Sequence, residues 1–162
     1  MNSGPETGSA PEEPRVRPLE ARDLDDVVAL DRKIAGRGRR GYFEKRLASA
    51  LRSPETHIQV AAERDGVLIG FALARVLRGE FGRTDPAVLI EAITVDPGCQ
   101  RRGIGRRLIA AIEDVMRRKG IRKMKTQAAW TDHEVLRFLD SLGFEMAPRQ
   151  IVECSVEQAA RL

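Results

Sequence analysis

The sequence contains few aromatic residues, few cysteines and no long apolar run. One Trp, one Tyr and five Phe make up 4% of the 162 residues, so an aromatic platform for stacking nucleic-acid bases is not expected. Cys99 and Cys154 form no metal-ligand spacing and are too few for a secreted disulfide framework. No apolar stretch approaches the ~20 residues that span a bilayer, and the N-terminus lacks a signal-peptide pattern. These absences predict a soluble cytoplasmic protein with neither a metal site nor a membrane partner.

The charge balance is basic but dispersed. The 28 Lys and Arg residues exceed the 24 Asp and Glu residues, which gives a formal net charge of +4. Arginines extend from Arg15 to Arg161 and are interleaved with acidic residues, which favours a solvated surface over a nucleic-acid interface. We therefore do not expect nucleic acid as a partner. Formation of a homodimer is compatible with the sequence.

The N-terminal residues differ in composition from the rest of the chain. Residues 1–14 are rich in Pro, Gly and Glu and contain no basic residue, so they cannot bury enough apolar surface to become ordered. We predict a disordered tail over residues 1–14 and a single domain over residues 15–162.

Apolar periodicity predicts the element order β-α-α-β-β-β-α-β-α-β, an α/β fold with a mixed, mostly antiparallel sheet flanked by helices. Asp65 and Gly66 indicate a hairpin turn, and residues 79–86 are predicted as a polar loop. Asp132 is a predicted helix N-cap. The predicted strands cover residues 15–19, 57–62, 67–77, 87–95, 123–129 and 150–156.

The stretch from Val95 to Leu108 joins an apolar strand to an amphipathic helix through a basic loop that contains Gly103. Backbone N–H groups at a helix N-terminus are unpaired and point outward, and the helix dipole makes that end positive. The loop has neither the Gly-Lys-Ser/Thr of a nucleotide P-loop nor the third glycine of a dinucleotide fingerprint. It therefore predicts a phosphate site of another kind, the alternative being a strand–loop–helix joint that uses glycines for tight packing.

The string Gln-Arg-Arg-Gly-Ile-Gly, after Val-Asp-Pro and before a helix, resembles the coenzyme A loop of the GNAT superfamily of acyl-CoA-dependent N-acyltransferases. The late Leu-Gly-Phe at residues 142–144 also fits this resemblance. It implies the GNAT fold, acetyl-CoA as cosubstrate, no metal, and direct transfer of an acetyl group to an amine. It also implies that the backbone of the preceding strand runs along the pantetheine. The coenzyme-binding residues implied are Ile93, Thr94, Val95, Arg101, Arg102, Gly103, Ile104, Gly105 and Arg106.

The catalytic end departs from the family pattern. By resemblance to ribosomal-protein alanine acetyltransferases, the family's asparagine before the last helix falls on Asp132, which we add to the coenzyme-binding residues. The tyrosine that protonates the departing thiolate falls on Leu139, and the base falls on Gln127. Neither residue can perform that proton transfer. A non-catalytic acyl-CoA-binding regulatory module is therefore an alternative function.

Other residues are candidates for catalysis and for binding the acceptor. Glu91, which simple alternation places on the strand face of Ile93 and Val95, is the candidate base, or else an ion-paired strand carboxylate. Tyr42 is the candidate acid, or else a half-buried helix residue. The resemblance implies that the connection between the first two helices borders the acceptor pocket, where three arginines favour an anionic group on the acceptor. The alternative is a solvated loop, whereas Glu80 and Asp85, in the other loop implied near that pocket, favour a cationic amine. The arginines are Arg37, Arg39 and Arg40. Whether the acceptor is a small molecule or a protein stays open.

Overall fold

The computed structural model describes residues 13–80, 83–148 and 151–155. The chain separates into two compact units, which meet in the sequence between Gln127 and Ala128. Most of the tail predicted over residues 1–14 lies outside the described residues. Of this tail, Glu13 and Pro14 are described, and both accept hydrogen bonds from Arg107, at 3.1 and 3.2 Å.

The described residues of the first unit form a five-stranded sheet and three α-helices. Neighbouring strands are antiparallel except for the last pair, which is parallel, and the spatial order equals the chain order. The strands are β1 (Arg15–Pro18), β2 (His57–Arg64), β3 (Val67–Glu80), β4 (Arg83–Val95) and β5 (Lys123–Lys125). The helices are α1 (Leu24–Ala35), α2 (Arg40–Arg52) and α3 (Ile104–Arg118). This arrangement confirms the predicted fold class and its element order up to β5.

The hairpin between β2 and β3 forms at the predicted turn. Asp65 and Gly66 have φ of 52° and 75°, so both adopt the left-handed conformation that a two-residue type I′ turn requires. The prediction of a polar loop over residues 79–86 is wrong for residues 79–80 and 83–86, which belong to strands, and residues 81 and 82 lie outside the described residues. Arg78 pairs with Pro86 and Glu80 with Arg83, because cross-strand pairing extends the β3–β4 hairpin through residues of low strand propensity.

The helices of the first unit cover the two faces of the sheet. Phe71 and Leu73 pack with α1 and α2 in a core that includes Val27, Phe43 and Leu47. The other face packs against α3, whose buried residues include Ile104, Leu108 and Ile112.

Gly70 lies where β3 closely approaches the backbone of β4. A Cβ at this position would lie 2.9 Å from the carbonyl oxygen of Thr94 and 3.4 Å from side-chain atoms of Ile104 and Leu108. The approach to the Thr94 oxygen therefore requires glycine, whereas the distances to α3 are close to ordinary van der Waals contact.

The second unit contains α4 (His133–Asp140). Asp132 caps this helix as predicted, since its Oδ1 accepts a hydrogen bond of 3.1 Å from the backbone N–H of Val135. Residues 144–148 and 151–155 contain no strand, so the described part of this segment lacks the predicted last strand. Gln150 and Val156, which bound that prediction, lie outside the described residues.

Candidate active site

The loop between β4 and α3 is held at its base by Asp96. The Asp96 carboxylate accepts hydrogen bonds from the backbone N–H of Gly98 at 2.9 Å and from Nζ of Lys33 at 2.7 Å. The Lys33 ammonium and then the Gly98 N–H hold the pKa of Asp96 below its usual range. Gln100 donates from Nε2 to the carbonyl oxygen of Val95 at 3.2 Å. These contacts fix where the chain leaves the strand.

The tip of the loop presents free backbone donors. Arg101 and Gly103 adopt left-handed conformations, with φ of 62° and 77°, and Arg102 between them is exposed. The N-cap residue of α3 is Gly103, which has no side chain to cap the helix, so the N–H groups of Ile104 and Gly105 remain available among the described residues. A 15-residue helix with a positive N-terminus, flanked by exposed arginines, is suited to bind a phosphate or pyrophosphate. Arg106 also lies in this turn and is exposed.

The edge of β4 is open next to this loop. β5 pairs with β4 only as far as Leu89, opposite Lys125, and no other described strand pairs with that edge from Glu91 to Val95. Thr126 Oγ1 donates to the carbonyl oxygen of Ile90 at 3.3 Å, where the two strands part. Ile93, Thr94 and Val95 are half-buried there. An extended ligand with amide groups can pair with such an edge as an added strand.

Glu91 occupies a β-bulge. Leu73 pairs with Ala92 and Ala74 with Ile90, so Glu91 is one extra residue in β4. The expected alternation with Ile93 and Val95 is therefore wrong, because the bulge turns Glu91 toward α2, where Ala92 also packs.

The Glu91 carboxylate forms ion pairs with two arginines. Oε2 pairs with Arg46 of α2, and Oε1 lies 3.5 Å from Nε of Arg75 in β3. The side chains of Arg46 and Glu91 are each 17% exposed, whereas that of Arg75 is 45% exposed. Sequence reasoning missed both arginines, because they lie on other elements and the bulge that brings them together has no clear sequence signal.

Tyr42 lies on α2 and is 39% exposed. Its ring packs edge-to-face on Phe43 with centroids 5.1 Å apart, and the guanidinium of Arg39 lies 5.4 Å from its centroid. These contacts hold the ring of the candidate acid at the surface of the first unit.

The three arginines of the α1–α2 connection differ in their partners. Arg39 binds the buried carboxylate of Asp31 through two side-chain hydrogen bonds, of 2.6 and 3.1 Å, and this contact raises the pKa of Arg39. Arg40 pairs with Asp25 and Glu44, and Asp25 is the main cause of its raised pKa. Arg37 is exposed and has no ion pair with a described residue. Two of the three arginines therefore already have carboxylate partners.

The positions that depart from the family pattern are also described. Leu139 is only 8% exposed and Gln127 is exposed. A leucine and a glutamine side chain have no titratable group, so neither can act as an acid or a base. Asp132 belongs to the second unit, where it caps α4. A cavity of about 590 Å³ at the C-terminal end of α3, lined by residues such as Met116, Ile121 and Met124, contains none of the predicted site residues.

Other classes of site find little support in the described residues. They include no cluster of His, Cys, Asp and Glu that could hold a metal ion. None of their helices is both long enough and apolar enough to cross a membrane.

Comparison with known proteins agrees with this geometry. Residues 24–144 match the model of the acetyltransferase (GNAT) family. The chain is 35% identical over 92 residues to aminoglycoside N(6')-acetyltransferase type 1 of Salmonella typhimurium, a match that spans 56% of the chain and 63% of that relative. It is 28% identical over 106 residues to the [ribosomal protein bS18]-alanine N-acetyltransferase of Escherichia coli K12, across 65% of the chain and 66% of the relative. Both matches cover less than two thirds of the relative.

A solved structure shares the fold. The aminoglycoside N-acetyltransferase AAC(6')-Iy, in complex with CoA, superposes with a TM-score of 0.80 over 93% of the chain and 99% of that structure, at 23% identity. Together with the family match over residues 24–144, this fold shows that the chain belongs to the GNAT acetyltransferase family.

Proposed function

We propose that the protein transfers an acetyl group from acetyl-CoA directly to an amine. One observation carries this proposal: the open edge of β4 is followed, after the loop over residues 96–103, by an arginine-flanked helix N-terminus whose N-cap residue is a glycine. An extended chain of amides that ends in a pyrophosphate matches both features at once. Coenzyme A has this chemistry.

The residues of this segment have distinct roles in the proposed complex. Backbone groups of Ile93, Thr94 and Val95 pair with the pantetheine, and a nearby backbone N–H polarises the thioester carbonyl. The first turn of α3 and the loop arginines hold the pyrophosphate through N–H donors and charge. These pyrophosphate-binding residues are Arg101, Arg102, Gly103, Ile104, Gly105 and Arg106. The assignment of Asp132 to the coenzyme site rests on the family resemblance alone.

Acetyl transfer requires a neutral amine, whose nitrogen attacks the thioester carbon while the C–S bond breaks. In this proposal Glu91 accepts the amine's proton, directly or through water. Its Oε2 is engaged by Arg46, whereas Oε1 has only the 3.5 Å contact with Arg75 and is the oxygen left for this task. Tyr42 is the candidate donor to the departing thiolate. A thiol with a pKa of about 8.5 also leaves without an acid, so transfer does not depend on Tyr42.

Binding of an anionic acceptor group by Arg37, Arg39 and Arg40 stays a proposal. Arg37 is the best candidate of the three to bind such a group, because Arg39 and Arg40 already bind carboxylates of the protein itself. If Arg37 contributes, Arg37→Ala raises the KM for the acceptor and leaves the KM for acetyl-CoA unchanged.

A non-catalytic acyl-CoA-binding module is the second candidate. It is favoured by the buried Leu139, which stands at the position where the family resemblance implies a tyrosine. Such a module would bind acetyl-CoA and release no CoA with any amine.

Release of CoA from acetyl-CoA over a panel of amines distinguishes the two candidates. The panel includes an aminoglycoside, a peptide with N-terminal alanine, a polyamine and simple amino acids, because the named relatives act on an aminoglycoside and on an alanine of a ribosomal protein. Turnover with any member that Gly103→Glu abolishes supports the transferase. Binding of acetyl-CoA without turnover across the whole panel favours the module.

A further inference from the structure

We propose that Arg75 binds a carboxylate on the acceptor, so that the preferred substrate is an amine that carries a carboxylate group. This inference rests on the proposed acetyl transfer and adds the class of acceptor. It starts from the charges that surround the β-bulge at Glu91, on the sheet face that packs against α2.

The cluster around the bulge has a surplus of one positive charge. Arg46 and Arg75 both approach Glu91, which is the single carboxylate in their ion pairs among the described residues. Arg46 is enclosed with Glu91 and neutralises it. Arg75 is therefore the excess cation.

Arg75 also has unused hydrogen-bond donors. Its one ion-pair contact with a described residue joins Nε to Glu91 at 3.5 Å, which is longer than a normal hydrogen bond. Its cross-strand neighbours are His57 and Leu89, neither of which is acidic. With 45% of the side chain exposed, the two terminal nitrogens form a fork of the shape that binds a carboxylate.

The position of Arg75 suits a group on the acceptor. Glu91 stands where the open edge of β4 begins, and one residue, Ala92, separates it from Ile93. Because Glu91 Oε1 lies 3.5 Å from Nε of Arg75, an amine that gives its proton to Glu91 would place a carboxylate a few bonds away within reach of Arg75. A polycation would meet the surplus positive charge instead.

The test compares pairs of amine acceptors, one member of each pair with an anionic group and the other without. With acetyl-CoA fixed at saturation, CoA release is measured for β-alanine against β-alaninamide and for O-phosphoethanolamine against ethanolamine. We expect a kcat/KM about tenfold or more higher for β-alanine than for its amide, the size expected for one charge-assisted pair. Equal rates, a preference for the amide, or a preference confined to the phosphate pair would overturn the assignment.

Variants assign any such preference to a residue. Arg75→Ala should remove it by raising the KM for β-alanine at nearly constant kcat, and Arg75→Lys should keep part of it. Arg78→Ala is the matched control. Arg78 is an exposed arginine of the same strand, three positions from Arg75, and has no ion pair with a described residue. The inference is wrong if Arg75→Ala keeps the preference, or if Arg78→Ala or Arg37→Ala removes it.

A binding measurement separates this inference from the proposed function. β-Alanine and β-alaninamide are titrated by NMR into the protein saturated with CoA. Tighter binding of β-alanine that Arg75→Ala abolishes, with no CoA release from any amine, would contradict the transferase and support the carboxylate site. Equal binding of the two probes would refute the carboxylate site even if other amines are acetylated.

Discussion

The ion pair between Arg46 and Glu91 should stabilise the first unit measurably. Glu91→Gln removes the charge and leaves Arg46 enclosed at 17% exposure without its partner. Breaking fully buried pairs costs about 3–5 kcal/mol, whereas exposed pairs contribute about 0.2–1 kcal/mol. Because both side chains are mostly but not fully buried, we expect a loss of about 2 kcal/mol in the free energy of unfolding. For a chain of this length, such a loss lowers Tm by about 4–8 °C.

Urea unfolding of four proteins tests this magnitude: the parent, Glu91→Gln, Arg46→Met and the double variant. The double variant should be less destabilised than the sum of the single variants by about 1–2 kcal/mol, since removing both charges leaves none enclosed. Additivity within about 0.5 kcal/mol, at unchanged m values, would refute a coupled pair.

The same variants separate the chemical role of Glu91 from its structural role. If Glu91 is the base, Glu91→Gln lowers kcat by about 100-fold at unchanged affinity for acetyl-CoA. Arg46→Met should then retain most of the turnover, because the carboxylate is still present. Equal losses in both variants would instead assign Glu91 to positioning.

Three further predictions concern glycines and one buried acid. Gly70→Ala should lower the free energy of unfolding by about 1–3 kcal/mol, because the new methyl carbon would lie 2.9 Å from the Thr94 oxygen. Gly41→Ala, which places its methyl group in open space on α2, should raise the free energy of unfolding by about 0.5–1 kcal/mol in the same urea assay. Acetyl-CoA at ~100 times its Kd should stabilise the parent by about 2.7 kcal/mol. In thermal melts, the increase in Tm caused by acetyl-CoA should be absent in Gly103→Glu. Gly103→Asn should keep this increase, because asparagine tolerates the left-handed conformation. Arg17 holds the pKa of Asp23 below its usual range, so the stabilisation by this carboxylate is present above about pH 4 and is lost as the pH falls through the lowered folded value. Asp23→Asn should accordingly be less stable than the parent at pH 7, and a gap that widened on acidification would contradict this reasoning.

The parts of the fold governed by local signals could be predicted from the sequence. The Asp65-Gly66 turn, the cap at Asp132 and the loop before α3 each follow from residue types at adjacent positions. Helix periodicity was less reliable at the ends of elements. Helical spacing of apolar residues places Ile34 in line with Val27 and Leu30, and Leu51 in line with Phe43 and Leu47, yet Ile34 and Leu51 are 49% and 70% exposed.

The features that depend on pairing between distant segments could not be predicted. Strand alternation assigned Glu91 to the wrong face, because a bulge reverses the pattern without changing any residue type. The partners of Arg39 and Arg40 are likewise set by how α1 and α2 pack, which the sequence of the connecting loop does not encode. The residues of the proposed coenzyme loop are contiguous and were accessible to sequence reasoning, whereas the proposed acceptor side combines residues of β3, β4 and α2.

The open stretch of β4 also determines how the protein should be handled. A row of strand N–H and C=O groups without a partner is the surface through which folded chains join edge to edge and precipitate. From Glu91 to Val95 no other described strand covers that row on the side away from β3. A coenzyme lying along it would serve as a temporary sixth strand and shield the edge. The ligand would then be a solubilising agent as well as a substrate, so purification and storage in its presence should keep the protein monodisperse.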